Sequence, residues 1–128
     1  MKPLFLGKPI VLPNGLTAPL SAAVKCQDTI YLSGALAFQP DGSLCTADIT
    51  KQTSIVLRNI AMTLQSVELS IEHIVKVNVW LTDVEDYACF NTAYAEFFGA
   101  HRPVRSVVRS DLMLAGAKIE IEATAVIF

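Results

Sequence analysis

Three of the four arginines of this 128-residue chain fall in the segment His101-Arg102-Pro103-Val104-Arg105-Ser106-Val107-Val108-Arg109. Arg105 lies inside the apolar part of that run, where a guanidinium must meet an anion or stay near water, because burying it unpaired costs several kcal/mol. Two arrangements satisfy it. One is a structural ion pair with a glutamate such as Glu120. The other is a clamp on a ligand carboxylate, which the guanidinium fork grips through two parallel hydrogen bonds. Glu120 itself stands in an otherwise apolar stretch, and its carboxylate either faces solvent or orients and deprotonates a water. Ser33, just before Gly34, is a turn serine or a hydroxyl beside a closely approached backbone. Asn91, in an apolar helical segment, is a satisfied core amide or a ligand contact.

Other chemistries find little support. His73 and His101 are far apart and lack metal-ligand spacing, so no metal site is expected. The six glycines are isolated, and no G-x-S-x-G, P-loop or G-x-G-x-x-G occurs, so no cofactor is expected. Cys26, Cys45 and Cys89 are scattered and odd in number, which fits reduced thiols in a cytoplasm; Cys89, between Ala88 and Phe90, reads as a buried small residue. Ten basic against twelve acidic residues give a net charge of -2, which argues against nucleic acid and anionic membrane as partners. The first residues do not read as an export signal, and no run approaches membrane-spanning length. Apolar residues at 52% against 17% charged leave a small domain with apolar surface that identical subunits would cover.

The elements that must position these residues follow from period and punctuation. One domain over 1–128 is expected, with residues 1–20, which hold four of the six prolines, as an extended arm carrying at most a short edge strand near Ile10 to Leu12. Ser21 to Lys25 and Thr29 to Ser33 flank Cys26-Gln27-Asp28 as a hairpin, and Pro40-Asp41-Gly42-Ser43 is a turn. Asp48 caps a helix running to about Ser66, with Ile55, Ile60, Leu64 and Val67 on its apolar stripe. Ile74 to Leu81 alternates as a strand with Val75, Val77, Val79 and Leu81 on one face. Asp83 and Asp86 are cap candidates for a helix carrying Tyr87, Phe90, Tyr94 and Phe97-Phe98, which Gly99 ends. Val104 to Val108 and Lys118 to Phe128 complete a β-β-α-β-α-β-β order, an α+β fold with helices on one sheet face.

Several of these segments together resemble one family. Thr29-Ile30-Tyr31-Leu32-Ser33-Gly34, Val75-Lys76-Val77 with Leu81-Thr82-Asp83, Asn91-Thr92-Ala93-Tyr94-Ala95-Glu96-Phe97-Phe98, Arg102-Pro103-Val104-Arg105-Ser106 and Lys118-Ile119-Glu120-Ile121-Glu122-Ala123 are similar to the RidA (YjgF) family of enamine/imine deaminases. Ala18-Pro19-Leu20 and Ser33 to Phe38 resemble its RutC-type branch. The resemblance implies a chorismate-mutase-like subunit and a homotrimer whose sheets form a central barrel, with sites at subunit interfaces. It also implies that Arg105 grips the substrate carboxylate, that Glu120 positions water, and that Ser33, Gly34, Asn91, Val107 and Leu20 line the pocket.

Two positions depart from the family pattern: Leu20 stands where many deaminating members have tyrosine, and Val107 where they have cysteine. Both changes remove a polar side chain, so a preference for small, apolar-tolerant substrates is expected. The implied reaction is hydrolysis of a 2-aminoacrylate-type enamine, through its imine, to a 2-keto acid and ammonia. A keto-acid-binding protein and an endoribonuclease or translation inhibitor are the alternatives within the same family.

Overall fold

In the computed structural model, which describes residues 2–12 and 14–128, the alternating segment at the end of the chain forms a strand, Ile119–Val126. Met1 and Pro13, the latter one of the prolines assigned to the arm, lie outside the described residues. The strands in chain order are β1 (Leu4–Leu6), β2 (Ala23–Cys26), β3 (Thr29–Leu32), β4 (Ile74–Leu81), β5 (Val104–Arg109) and β6 (Ile119–Val126). Helix α1 (Ile49–Gln65) separates β3 from β4, and α2 (Tyr87–Phe98) separates β4 from β5. All six strands form one sheet in the order β1-β2-β3-β6-β4-β5. Only β4 and β5 pair in parallel, and α2 is the crossover that a parallel pair requires.

This is the expected α+β order with one more strand at the N-terminal edge. That strand is Leu4–Leu6, paired Leu4↔Lys25 and Leu6↔Ala23, and not Ile10 to Leu12. Ile10 to Leu12 follows Pro9, which has no N–H for a ladder, and the Leu12 amide is taken by Leu16 O in a local turn. Val11 makes only an isolated bridge to Thr17. The chain leaves β1 at Gly7, whose φ of +96° and close approach to Ala22 exclude a side chain.

Capping decides the helix starts. Asp48 accepts from Lys51 N at 3.0 Å and sets the start of α1. Asp83 caps a single 3-10 turn, Val84–Asp86, by accepting from Glu85 N, while Asp86 stands at the α2 cap position with no side-chain bond to the helix. In β4, a register irregularity against β6 between Ile74 and Lys76 buries Ile74 and turns the expected inward residue Val75 outward.

The helices cover one sheet face. Val56, Leu57, Ile60 and Leu64 of α1 and Phe90 and Phe98 of α2 pack with Ile30, Val77, Val79, Ile119 and Ile121 into the core. The opposite face carries, in one row across the sheet, Phe5, Val24, Tyr31, Thr124, Lys76 and Val104, among which Phe5, Tyr31 and Val104 are largely exposed apolar groups.

Two fully buried polar side chains, Gln52 and Thr53, stand side by side on α1. Gln52 is fully buried on α1; its amide nitrogen donates to Ala47 O at 2.9 Å and Gly116 O at 3.0 Å, and its amide oxygen accepts from Lys118 N at 2.9 Å. These bonds tie the loop that enters β6 to the first turn of α1. The signal in sequence was a glutamine at a core position of an amphipathic helix, between Ile49 and Ile55. Gln52→Ala should lower stability by about 3 kcal/mol, because it strands buried backbone groups; the loss of melting temperature by scanning calorimetry measures it.

Candidate functional site

Arg105 pairs with Val77, and Val107 with Val79, so both side chains point to the helix-covered face of β5, an edge strand of the sheet. There the guanidinium meets α2. Its Nη2 donates to Asn91 Oδ1 at 2.7 Å, and its Cζ lies 4.8 Å from the ring centre of Tyr94 and 5.4 Å from that of Phe90. Positions 90, 91 and 94 share one side of a helix, so a single turn of α2 supplies the amide and both rings. The hydrogen-bond partner is a neutral amide, which orients the guanidinium without cancelling its charge.

Glu120 lies elsewhere. It pairs with Trp80, on the face opposite to Arg105, so the sheet register itself separates the two and no Arg105–Glu120 ion pair forms within the chain. Its carboxylate rests against Gly34, at the bridge where Ala35 meets Ile121; a Cβ at position 34 would overlap Glu120 Oε2. Burial, and secondarily the neighbouring charge of Glu122, push the Glu120 carboxyl above the ordinary glutamate range. Glu122 is in turn approached by Asn78 Nδ2 at 3.4 Å.

The remaining candidates divide between these two places. Ser33 Oγ donates to Ser21 O at 2.6 Å, beside the half-exposed Leu20, and borders a hollow of about 260 Å³ shared with Phe5, Val24 and Tyr31. Val107 lines a hollow of about 250 Å³ with Leu81, Val84, Tyr87 and Arg109. The structure therefore brings Arg105 to Asn91, with Val107 two residues along the same face of β5, and sets Glu120, on the opposite face, against Gly34, which follows Ser33 in the chain. The aromatic floor of Phe90 and Tyr94 was not anticipated as part of the site; the signal was two rings four apart, flanking Asn91.

The histidines are engaged structurally. His101 Nε2 is 2.8 Å from Ile74 O, and His73 Nδ1 accepts from Ser70 N while its ring stacks on Phe128. Cys26, Cys45 and Cys89 are free thiols, and Cys89 is exposed on α2 where the sequence pattern predicted burial, because its helical position faces away from the Phe90–Tyr94 side. Among the described residues, no helix is long and apolar enough to cross a membrane.

Against known proteins, the model of the family described as Endoribonuclease L-PSP matches residues 14–127. The chain belongs to the RidA (YjgF) family. It is 36% identical over 108 residues to a RutC family protein of Pyrococcus horikoshii, covering 84% of this chain and 86% of that one. It is 30% identical over 113 residues to the human 2-iminobutanoate/2-iminopropanoate deaminase, covering 88% and 82%. The fold superposes on the crystal structure of Escherichia coli TdcF with bound serine at a TM-score of 0.85 and 29% identity, over 98% of this chain and 99% of that one. The RidA family thus includes deaminases of small imino acids and a member that holds a small amino acid, alongside relatives described as endoribonucleases.

Gly34→Ala should leave the fold intact but displace the Glu120 carboxylate, a flexible end that yields at small cost in stability; unchanged melting with an altered Glu120 position in a crystal structure would show it. Because the folded chain holds the Glu120 proton more tightly than the unfolded chain, that contribution to stability is complete below the ordinary glutamate range and is lost as pH rises through the raised folded value. Glu120→Gln should therefore raise the melting temperature at neutral pH and give no gain in acid, as melting curves across pH would record.

Proposed function

We propose that this protein hydrolyses reactive 2-aminoacrylate-type enamines, through their imines, to 2-keto acids and ammonia, in the manner of a 2-iminobutanoate/2-iminopropanoate deaminase. The observation that carries the reading is Arg105: a guanidinium held by an amide and two ring faces, with donors left for a ligand carboxylate. The names of the human deaminase and of serine-bound TdcF support small carboxylate-bearing molecules as the ligand class.

The chemistry needs little machinery. Arg105 fixes the substrate carboxylate, and Glu120 orients a water on the imine carbon and takes its proton as the C–O bond forms. Glu120 passes that proton to the imine nitrogen to give the carbinolamine, then takes the hydroxyl proton and delivers it to the same nitrogen, so that ammonia leaves as the C=O of the keto acid forms and Glu120 is again a carboxylate. No covalent nucleophile or cofactor takes part. Val107 contributes its backbone groups, since valine keeps both the N–H and the C=O. Ser33, Gly34 and Leu20 form the wall on the Glu120 side.

A second copy of the chain completes the site. Arg105 with Asn91 and Glu120 with Gly34 lie on opposite faces of one sheet, so a substrate that touches both must sit between subunits. The proposed assembly is a homotrimer whose uncovered sheet faces, with Phe5, Tyr31 and Val104, close on one another as a central barrel. The whole chain, 1–128, acts as one such unit with residues 1–20 as its arm, and its free thiols suit a reducing cytoplasm. The net charge of -2 disfavours RNA as the substrate.

The test uses imines generated by an L-amino acid oxidase and followed by semicarbazone trapping, with the mass in solution measured by light scattering. A trimer that accelerates imine decay is expected. Arg105→Lys should lower the rate by about 10- to 100-fold while keeping the trimer, because lysine retains charge but loses the two-pronged grip. A monomer, or a wild-type protein that leaves imine decay unchanged with every side chain tried, overturns the reading.

A further inference from the structure

We propose that Tyr94 is a positioning residue for the carboxylate grip: its ring face holds the Arg105 guanidinium flat and presents the free donors outward. The inference rests on the clamp reading of Arg105 and adds a residue that acts through it. An arginine at a sheet edge has a long stem with many rotamers, and a ligand that had to order it would bind weakly. Here Tyr94, at 4.8 Å, and Phe90, at 5.4 Å, attract the cation to their faces, and Asn91 holds one Nη2 hydrogen. A carboxylate in place of the rings would orient Arg105 as well, but it would compete with the carboxylate of the ligand. Aromatic faces orient the cation while leaving its remaining hydrogens unbound.

The details of Tyr94 point to the ring as its active part. The side chain is buried, and its hydroxyl is buried with no hydrogen-bond partner, so the oxygen does not anchor the residue. Burial also holds the phenol above its ordinary pKa despite the nearby Arg105 charge, so the ring stays neutral and the contact is a cation on a π face rather than an ion pair. The ring is fixed in turn by its neighbours on α2, with Phe90 at 5.4 Å and Phe98 at 4.7 Å between centroids. The series Phe90, Tyr94, Phe98 is thus a ledge built on one side of the helix, and Arg105 lies across its first two members.

The experiment replaces Tyr94 with phenylalanine and then with 4-fluoro-, 3,5-difluoro- and 3,4,5-trifluorophenylalanine, which keep the shape and drain electron density from the ring face. KM and kcat for 2-iminobutanoate and the Kd of 2-oxobutanoate, by calorimetry, are the readouts. Tyr94→Phe should stay within about twofold of wild type. The fluorinated series should raise KM and Kd stepwise, to about tenfold at three fluorines, with kcat unchanged, because the grip on the carboxylate is made in ground and transition states alike. A flat series in an active wild-type background, or a fall in kcat at constant KM, overturns the role of Tyr94 alone. A wild-type protein with neither turnover nor 2-oxobutanoate binding overturns the clamp itself, and this inference with it.

Discussion

A strand residue faces one side of its sheet or the other, and pairing carries that choice across every neighbouring strand. In this protein the helices lie on one side only, so each alternate residue of β4, β5 and β6 is committed either to the helix-covered core or to the open face. Val77 and Val79 fix the inward set, and through the parallel register of β4 with β5 they send Arg105 and Val107 inward as well. The antiparallel register of β4 with β6 sends Glu120 and Glu122 outward, beside Trp80 and Asn78. A slip of one residue would bury two carboxylates in an apolar core, which is why the register is unambiguous.

That commitment explains how a cation survives among apolar side chains. β5 is an edge strand, so Arg105 reaches the margin of the core rather than its centre. The α2 turn above it offers ring faces and one amide oxygen, which compensate the loss of water only in part. These contacts hold the guanidinium at the sheet margin without cancelling its charge. On the other face, Glu120 gives up stability at neutral pH by being held where its charge is disfavoured, between Gly34 and Glu122. Costs of this kind gather where chemistry is done.

Much of the architecture was legible in the chain because local rules and tertiary packing agree over most of it. The 3.6 and 2.0 periods marked α1, α2, β4 and β6, and Asp48 and Gly99 marked helix ends. The rules failed where long-range pairing overrode them. Leu4–Leu6 carries no alternation that sets it apart from Ile10 to Leu12, and only the free edge of β2 selects it. Val75 fits the inward pattern of its strand, but the irregularity opposite β6 reverses it. Gln52 is a polar residue at a core position of α1, and its role depends on Gly116 and Lys118, more than sixty residues away.

Period, punctuation and side-chain chemistry within a few residues were enough for the element order from β2 onward, for the two-faced character of the last strand, and for the residue types able to bind a carboxylate and move a proton. The sequence segments also carried the likeness to the RidA family. Contacts between distant elements were settled by the fold. It set Arg105 against Asn91, Phe90 and Tyr94 instead of Glu120, and placed Glu120 against Gly34 on the opposite side of the sheet. The reason is that facing across a sheet is a property of register between distant strands, and no spacing within one strand encodes the register of another.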